Sequence, residues 1–115
     1  MIKSFTINRA DWMRGQGDST GKLYVPEYGE MCCLGFFCKA LGIPKAEMED
    51  LAIPSELYHL NKIPKWLLYD EDLSTQDDLG KLLDLNDSDI IEDSERELKI
   101  KEIFKKRGIK VKFVG

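Results

Sequence analysis

The most reactive side chains of this sequence are three cysteines that lie close together, Cys32, Cys33 and Cys38. Thiolates bind zinc and act as nucleophiles, so this cluster raises two chemical possibilities. A structural zinc site needs four converging ligands, usually in pairs two to four residues apart, and the only histidine of the chain is His59. Because Cys32 and Cys33 are adjacent, their side chains diverge by about 100° on a helix. The spacing therefore argues against zinc, and we expect neither a metal nor a cofactor.

A thiol nucleophile is the second possibility, because a cysteine at a helix start has a stabilised thiolate and a histidine can accept its proton. The segment CLGFFCKALGIP, Cys33 to Pro44, locally resembles the nucleophile helix of papain-like cell-wall peptidases. This resemblance implies Cys33 as the nucleophile, and His59, the only histidine of the chain, would have to be the base. Those enzymes carry their histidine on a strand, whereas His59 lies in ELYHLNKIP, which has no strand pattern. A cysteine hydrolase is thus kept as an alternative with Cys33 and His59 as its catalytic pair.

Burial in the core is the interpretation that we favour for the thiols. Free cysteine is among the most buried residue types, and Cys33 and Cys38 fall where a helix would pack. We expect Cys32 to be the most exposed of the three.

A glycine-rich segment, GQGDSTGK from Gly15 to Lys22, invites comparison with a phosphate-binding loop. The comparison fails because five residues separate Gly15 from Gly21 where the motif has four, and because Leu23 follows Lys22 where the motif has Ser or Thr. An alternative function still uses this loop. In it, Arg14 and Lys22 would hold a nucleotide signal that the protein sequesters.

The segment DLNDSDIIEDSE, residues 84–95, contains part of a calcium-loop pattern. The pattern has oxygen-bearing residues at positions one, three, five and twelve, here Asp84, Asn86, Ser88 and Glu95. Position six needs a glycine for its sharp turn, but Asp89 stands there. We therefore favour an ordinary turn between two helices, with calcium as the alternative.

The charge of the chain is unevenly distributed, although the net charge is only -4. Residues 70–97 hold twelve acidic side chains against Lys81 and Arg96, whereas residues 98–115 hold seven basic side chains against Glu102. The negative balance argues against direct nucleic-acid binding. The acidic stretch is either a set of solvated helix faces that attract the basic C-terminal stretch, which is the interpretation we favour, or a surface that meets a basic patch on another protein.

Neither a membrane span nor an export signal is evident. No apolar run approaches the ~18 to 20 residues that a spanning helix needs, and the start MIKSFTINRADW lacks the apolar core of a secretory signal. An odd number of cysteines is typical of a reducing compartment. We expect a cytoplasmic protein without a membrane partner.

Apolar periodicity predicts one α+β domain over residues 1–115. Alternating apolar residues predict strands at Lys3 to Asn8, at Lys22 to Val25 and at Ile109 to Val114. Helices are predicted from Met31 to Leu41, from Pro44 to Leu51, from a cap at Ser74 or Thr75 through Leu85, and from a Ser94–Glu97 capping box to Gly108. Loops and short helical turns are expected between Ala52 and Leu68. We expect the terminal strands to share a short sheet that is packed by three to four helices.

Several segments together resemble a group of small proteins that bacteriophages and prophages encode. These segments are the W-x-R-G turn at Trp12 to Gly15, GEMCCLGFFCKALGIP, LLDLND at Leu82 to Asp87, and SERELKIKEIFKKRGIKVKFV. The resemblance spans most of the chain but implies no catalytic or binding residues. It implies a setting, the cytoplasm of an infected bacterium, and a role, a small accessory protein that acts on a host factor.

The sequence thus predicts a non-catalytic protein of phage type that binds a host protein, with a defence protein as the expected target. The expected contact residues belong to the acidic stretch and to the aromatic side chains beside it. They are Trp66, Tyr69, Asp70, Glu71, Asp72, Asp77, Asp78, Asp87 and Asp89.

Overall fold

Strands at the two ends of the chain and four helices between them make up the part of the chain that the computed structural model describes, which is residues 2–15, 17, 21–67 and 77–115. In chain order the elements are β1 (Ser4–Asn8), α1 (Cys33–Ala40), α2 (Lys45–Met48), α3 (Asp77–Asp87), α4 (Asp93–Lys106) and β2 (Lys110–Val114). Short 3₁₀ turns occupy Arg9–Asp11, Pro54–Leu60 and Lys65–Leu67. The predicted α+β class is confirmed.

The terminal strands pair with each other in parallel, with Phe5 opposite Val111 and Ile7 opposite Phe113. Every second side chain is apolar, so one face of the sheet covers the helices and the other faces solvent. The predicted sheet of terminal strands is confirmed. The strand that we expected at Lys22 to Val25 does not form.

Isolated bridges replace that strand. Tyr24 forms a single bridge with Glu49, and Val25 forms one with Glu30. The ladder stops there because Pro26 has no N–H group to donate and begins a turn that reverses the chain.

Helix α1 lies in the centre of the core. Six consecutive residues, Cys33 to Cys38, are buried, so the helix is covered on every side rather than on one face. Gly35 makes this possible because a β-carbon there would overlap the carbonyl oxygen of Leu23. The helix ends before Gly42, whose φ is +91°, as the Gly-x-Pro pattern predicts.

Aromatic rings join the sheet to α1 and α4. The ring of Phe104 lies 4.9 Å from that of Phe5, 5.2 Å from that of Phe37 and 5.7 Å from that of Trp66, measured between centroids. Such tilted and edge-on pairs are the favoured arrangement of buried rings. Trp66 is half-buried in this group, with the guanidinium of Arg107 4.9 Å from its ring centroid.

Helix α4 begins differently from the prediction. Its N-cap is Glu92, which makes no side-chain capping bond, and Ser94 lies inside the helix. Glu97 does not reach back to cap the helix, because it accepts two hydrogen bonds of 2.8 and 2.7 Å from Arg9. A bidentate arginine–carboxylate pair of this kind is stronger than a capping bond, so the capping-box prediction is wrong. Leu98, on the same helix, is 58% exposed.

Candidate functional site

The segment that joins α3 to α4 has one side bonded into the fold and another side open to solvent. We call residues 87–93, which include four acidic side chains, the acidic turn.

Asn86, at the entrance to the acidic turn, lies at the meeting point of three sequence motifs. Only 2% of it is exposed. Its Oδ1 accepts hydrogen bonds of 2.9 Å from Trp12 Nε1 and of 2.9 Å from the backbone N–H of Cys33. Its Nδ2 donates to the carbonyl of Met13 at 3.0 Å and to Asp87 Oδ1 at 3.1 Å. The W-x-R-G, Met-Cys-Cys-Leu-Gly and LLDLND segments are therefore held together by one buried amide.

This amide also completes the start of α1. The N-cap residue Cys32 makes no side-chain capping bond, and the first N–H groups of a helix need acceptors from outside it. Asn86 supplies one from a distant part of the chain. The distance in sequence, 53 residues, explains why no local capping pattern revealed it.

The glycine-rich segment is bonded to the acidic turn. Gly15 N–H donates to the Asn86 carbonyl at 2.8 Å, Gly17 N–H to the Asp87 carbonyl at 2.7 Å, and Gly21 N–H to Asp87 Oδ1 at 3.1 Å. These N–H groups are the ones that a phosphate-binding loop would offer to its ligand. Here they stabilise the fold instead.

Arg14, one of the two predicted nucleotide-binding residues, makes several contacts within the fold. Arg14 donates from Nε to Asp93 at 3.0 Å and from one terminal nitrogen to the carbonyls of Arg9 and Trp12, and its guanidinium lies 4.5 Å from the Trp12 ring centroid. Lys22 is half-buried, and its carbonyl accepts from the N–H of Cys32. Arg14 is thus part of the packing beside the acidic turn.

Arg96 fixes the inner side of the turn. The residue is 3% exposed, and its guanidinium donates to the carbonyls of Leu85, Asn86 and Ile91. Its Nε also donates to Asp93 Oδ1 at 3.2 Å. A buried arginine needs all its donors satisfied, so the turn wraps around this side chain.

Asp93 is the acid of the turn that pairs with two arginines, and its side chain is 49% exposed. The hydrogen bond from Arg14 is the main reason that the pKa of Asp93 lies below its ordinary value, and Arg96 adds to the effect against an opposing contribution from burial. Its charge is therefore partly neutralised within the fold.

The outer side of the turn consists of Asp89, Ile90 and Glu92, which are all exposed. Ile90 is 89% exposed, the largest value among the exposed large apolar side chains of the described residues. The sequence pointed to Asp89 but missed Ile90. The signal was an isoleucine pair inside an acidic turn, and periodicity could not show that Ile90 is exposed whereas Ile91 is half-buried.

Asp78 and Trp66, two of the predicted contact residues, are less exposed than Asp89. Asp78 is buried and accepts hydrogen bonds from Lys106 at 3.1 Å and from Arg107 at 3.0 and 2.8 Å. Burial alone would raise the pKa of Asp78, but the hydrogen bonds from Arg107 and Lys106 outweigh it and keep that pKa below its ordinary value. Together with the half-buried Trp66, these residues join α3 to the end of α4.

The structure describes only part of the predicted contact surface. Tyr69, Asp70, Glu71 and Asp72 lie outside the described residues, as do the predicted caps Ser74 and Thr75. Asp77 is the first residue of α3.

The four residues of the calcium pattern are not gathered around one point. The amide of Asn86 faces inward, Glu95 pairs with Lys99 at 3.0 Å, and Ser88 Oγ accepts from Ile90 N–H at 3.3 Å. Asp84 is exposed on α3. In the described ranges no group of three or more His, Cys, Asp or Glu residues is placed to hold a metal ion.

The three cysteines are buried as free thiols. Burial raises the pKa of Cys32 to about 11 and that of Cys38 to about 12, and it also raises the pKa of Cys33. Thiols in this state are protonated at neutral pH and unreactive. The prediction that Cys33 and Cys38 pack in the core is confirmed.

The prediction that Cys32 is the most exposed thiol is wrong, because only 2% of it is accessible. The backbone at Gly21 covers it, and a β-carbon built there would lie 3.3 Å from the β-carbon of Cys32. His59, the proposed base, is exposed in the Pro54–Leu60 turn, whereas the Cys33 side chain is fully buried.

No protein-family model, curated protein or solved structure matches this chain. None of the helices in the described parts of the chain combines the length and the apolar character that crossing a bilayer requires.

Proposed function

We propose that this protein is a non-catalytic accessory protein of phage type that binds a host bacterial protein through its acidic turn, with a defence protein as the target. The observation that carries the proposal is the exposure of Ile90 between the exposed acids Asp89 and Glu92 on a turn whose other side is fixed. The phage setting rests on the resemblance of the sequence motifs. The role in binding rests on the geometry of the turn.

The turn is suited to binding because its backbone is already ordered. Arg96 donates hydrogen bonds to three carbonyls in and beside the turn, those of Leu85, Asn86 and Ile91. The side chain of Asn86 bonds the start of the turn to Trp12 and to α1. Association loses free energy when it must order a loop, so a loop fixed beforehand binds more tightly for the same contacts.

The composition of the outer side indicates the chemistry of the partner. An exposed apolar side chain surrounded by charges resembles the centre of a protein interface, where one buried anchor contributes most of the binding energy. The flanking carboxylates of Asp89 and Glu92 would attract a basic surface and speed association. We therefore expect a partner with an apolar pocket for Ile90 inside a rim of Lys and Arg side chains.

Catalysis by the thiols has less support. The side chain of Cys33 is completely buried with a raised pKa, so it is neither a thiolate nor accessible to a substrate. The nucleotide alternative also has less support, because the guanidinium of Arg14 is bonded to Asp93 and to the carbonyls of Arg9 and Trp12.

Affinity capture from the bacterial host, with quantitative mass spectrometry, tests the proposal. The test variant is Asp89→Lys with Ile90→Asp, which reverses one charge and removes the apolar anchor. The matched control is Glu27→Lys with Tyr28→Asp, because both residues are exposed in another turn and Tyr28 is 67% exposed. Both variants change the net charge equally.

We expect at least one host protein to be captured by the wild type and by the control, and to fall by about tenfold or more with the acidic-turn variant. Thermal unfolding of all three proteins checks that they are folded. Equal capture by the wild type and by the folded acidic-turn variant would show that the turn is not the contact surface.

A further inference from the structure

Four lysines line one open groove at the end of α4, far from the acidic turn along that helix. The groove has a volume of about 450 Å³. Lys101 and Lys105 lie one turn apart on α4, Lys110 begins β2, and Lys3 precedes β1. A backbone hydrogen bond of 2.9 Å from Lys110 N–H to the Lys3 carbonyl fixes the two strand ends relative to each other. We call this feature the lysine groove.

The lysine groove contains no acidic side chain among its described lining residues. Nearby cations are engaged elsewhere: Lys106 and Arg107 pair with Asp78, and Lys99 pairs with Glu95. The four lysines of the groove form no ion pair with any acid that the structure describes. One of them, Lys101, has its Nζ 5.7 Å from the ring centroid of Phe113. Four like charges held together repel one another, and a bound anion would relieve that repulsion.

The backbone beneath the groove does not oppose an anion as strongly as an open helix end would. The C-terminal carbonyls of a helix carry partial negative charge. Here the carbonyl of Phe104 accepts from the N–H groups of Arg107 and Ile109, and that of Lys105 accepts from Gly108. A β-carbon at Gly108 would meet nothing within 4 Å, so the approach from solvent is open.

We propose that the lysine groove binds a compact polyphosphate anion, the chemistry shared by inorganic tripolyphosphate and the phosphate chain of a nucleoside triphosphate. The volume lies in the range of small-ligand sites. Lysine binds phosphate as a point charge, and the cationic side chains among the described lining residues are all lysines.

A compact anion fits better than a long one. A terminal phosphate carries about 1.5 to 2 negative charges at neutral pH, so a short chain of phosphates can meet several lysines at once. A nucleic-acid strand extends beyond the groove, where the net charge of -4 and the acidic stretch repel it. The proposal uses no residue of the acidic turn and does not depend on the proposed function.

Calorimetric titration with sodium tripolyphosphate, and with adenosine triphosphate as a second arm, tests the groove. The first variant is Lys101→Glu with Lys105→Glu, and the matched control is Lys99→Glu with Lys112→Glu. The control residues are also exposed on α4 and β2, but they do not line the groove, and both doubles change the charge equally. A neutral pair, Lys101→Gln with Lys105→Gln, removes the two charges without adding repulsion.

We expect the wild type to bind tripolyphosphate and the charge-reversed groove variant to bind it at least about tenfold more weakly. The neutral pair should lose about threefold or more, and the control should stay within about twofold of the wild type. Circular dichroism establishes folding, and the neutral pair serves alone if the charge reversal unfolds the protein. Binding of both anions with similar affinity assigns the phosphate chain as the recognised part, and tighter binding of adenosine triphosphate adds a contact to the nucleoside.

Three results would overturn the proposal. The first is no binding of tripolyphosphate by the wild type at millimolar concentration. The second is an equal loss in the groove variant and the control, which would mean that only net charge matters. The third is tighter binding of an oligothymidylate or a polyglutamate than of tripolyphosphate, which would assign the surface to nucleic acid or to an acidic protein.

Discussion

Helix α1 and the acidic turn each concentrate one kind of side chain, thiols in the first and carboxylates in the second. In α1 the fold buries every member of the cluster, and burial raises the pKa of each thiol. In the acidic turn Asp93 is exposed but pairs with Arg14 and Arg96, whereas Asp89 is exposed beside Ile90. The lesson is that a dense cluster indicates chemistry only where the fold leaves its members in contact with solvent.

The two regions are also physically joined. Asn86 accepts from the first N–H of α1 and begins the acidic turn, so one buried amide couples the position of the thiols to that of the exposed acids. Substitutions that remove the hydrogen bonds of this joint should destabilise the protein. Substitutions on the outer side should leave stability unchanged and affect binding alone.

The largest expected effect comes from Gly35→Ala. A β-carbon there overlaps the carbonyl oxygen of Leu23, which is backbone and cannot rotate away. We expect a loss of about 3 kcal/mol or more in the free energy of unfolding, measured by urea titration. The matched control is Gly80→Ala in α3, where a β-carbon meets nothing within 4 Å.

Because alanine is a better helix former than glycine, the control should gain about 0.5 to 1 kcal/mol. Wild-type stability in the folded Gly35→Ala protein would mean that α1 does not pack directly on the backbone at Leu23.

A slightly smaller effect is expected from Asn86→Ala. The change leaves Trp12 Nε1 and the N–H of Cys33 without their buried acceptor, so we expect a loss of about 2 to 3 kcal/mol in the free energy of unfolding. Ser88→Ala is the control, because its Oγ accepts one exposed hydrogen bond from Ile90 N–H, and its cost should stay below about 1 kcal/mol. Similar losses in both variants would refute the view that Asn86 joins the two regions.

The same comparison shows how far sequence reasoning reaches. The terminal strands were predictable because Phe5 and Ile7 alternate with polar neighbours, and the end of α1 because Gly42 and Pro44 stop a helix locally. The role of Asn86 was not predictable, because its partner Trp12 lies 74 residues away along the chain. Period and capping rules describe neighbours along the chain and contain no information on such distant contacts.

The candidate site was predictable in charge but not in geometry. Composition identified the acidic stretch, and Asp89 is indeed exposed. The charge distribution predicted attraction between the acidic and basic stretches, but not that Asp78 would be buried against Lys106 and Arg107, because that pairing depends on how α3 packs on α4. For the same reason the exposure of Ile90 became visible only in the folded chain.

A smaller loss in the free energy of unfolding is expected at alkaline pH, and it tests whether the thiols are buried. The thiols of the unfolded chain ionise near pH 9.0, whereas burial raises the pKa of Cys32 to about 11 and that of Cys38 to about 12 in the folded protein. Above pH 9 the unfolded state therefore holds fewer protons than the folded state, so stability is complete below pH 9 and falls as the pH rises toward 11 to 12.

Urea titration at a series of pH values measures this fall, and Cys32→Ala should reduce it by removing one of the thiols. In the native protein at neutral pH, we also expect a thiol reagent to label the cysteines far more slowly than in denaturant. Native labelling at the rate of the denatured chain would place a reactive thiol on the surface.

The most direct test of the account is the dissociation constant for the captured host protein, measured for Cys33→Ala and for Asp89→Lys with Ile90→Asp in parallel. The first change removes the candidate nucleophile from α1, and the second removes the outer side of the acidic turn. We expect Cys33→Ala to bind within about twofold of the wild type, and the acidic-turn variant to bind at least about tenfold more weakly. Loss of binding in folded Cys33→Ala, with full affinity in the acidic-turn variant, would contradict the account.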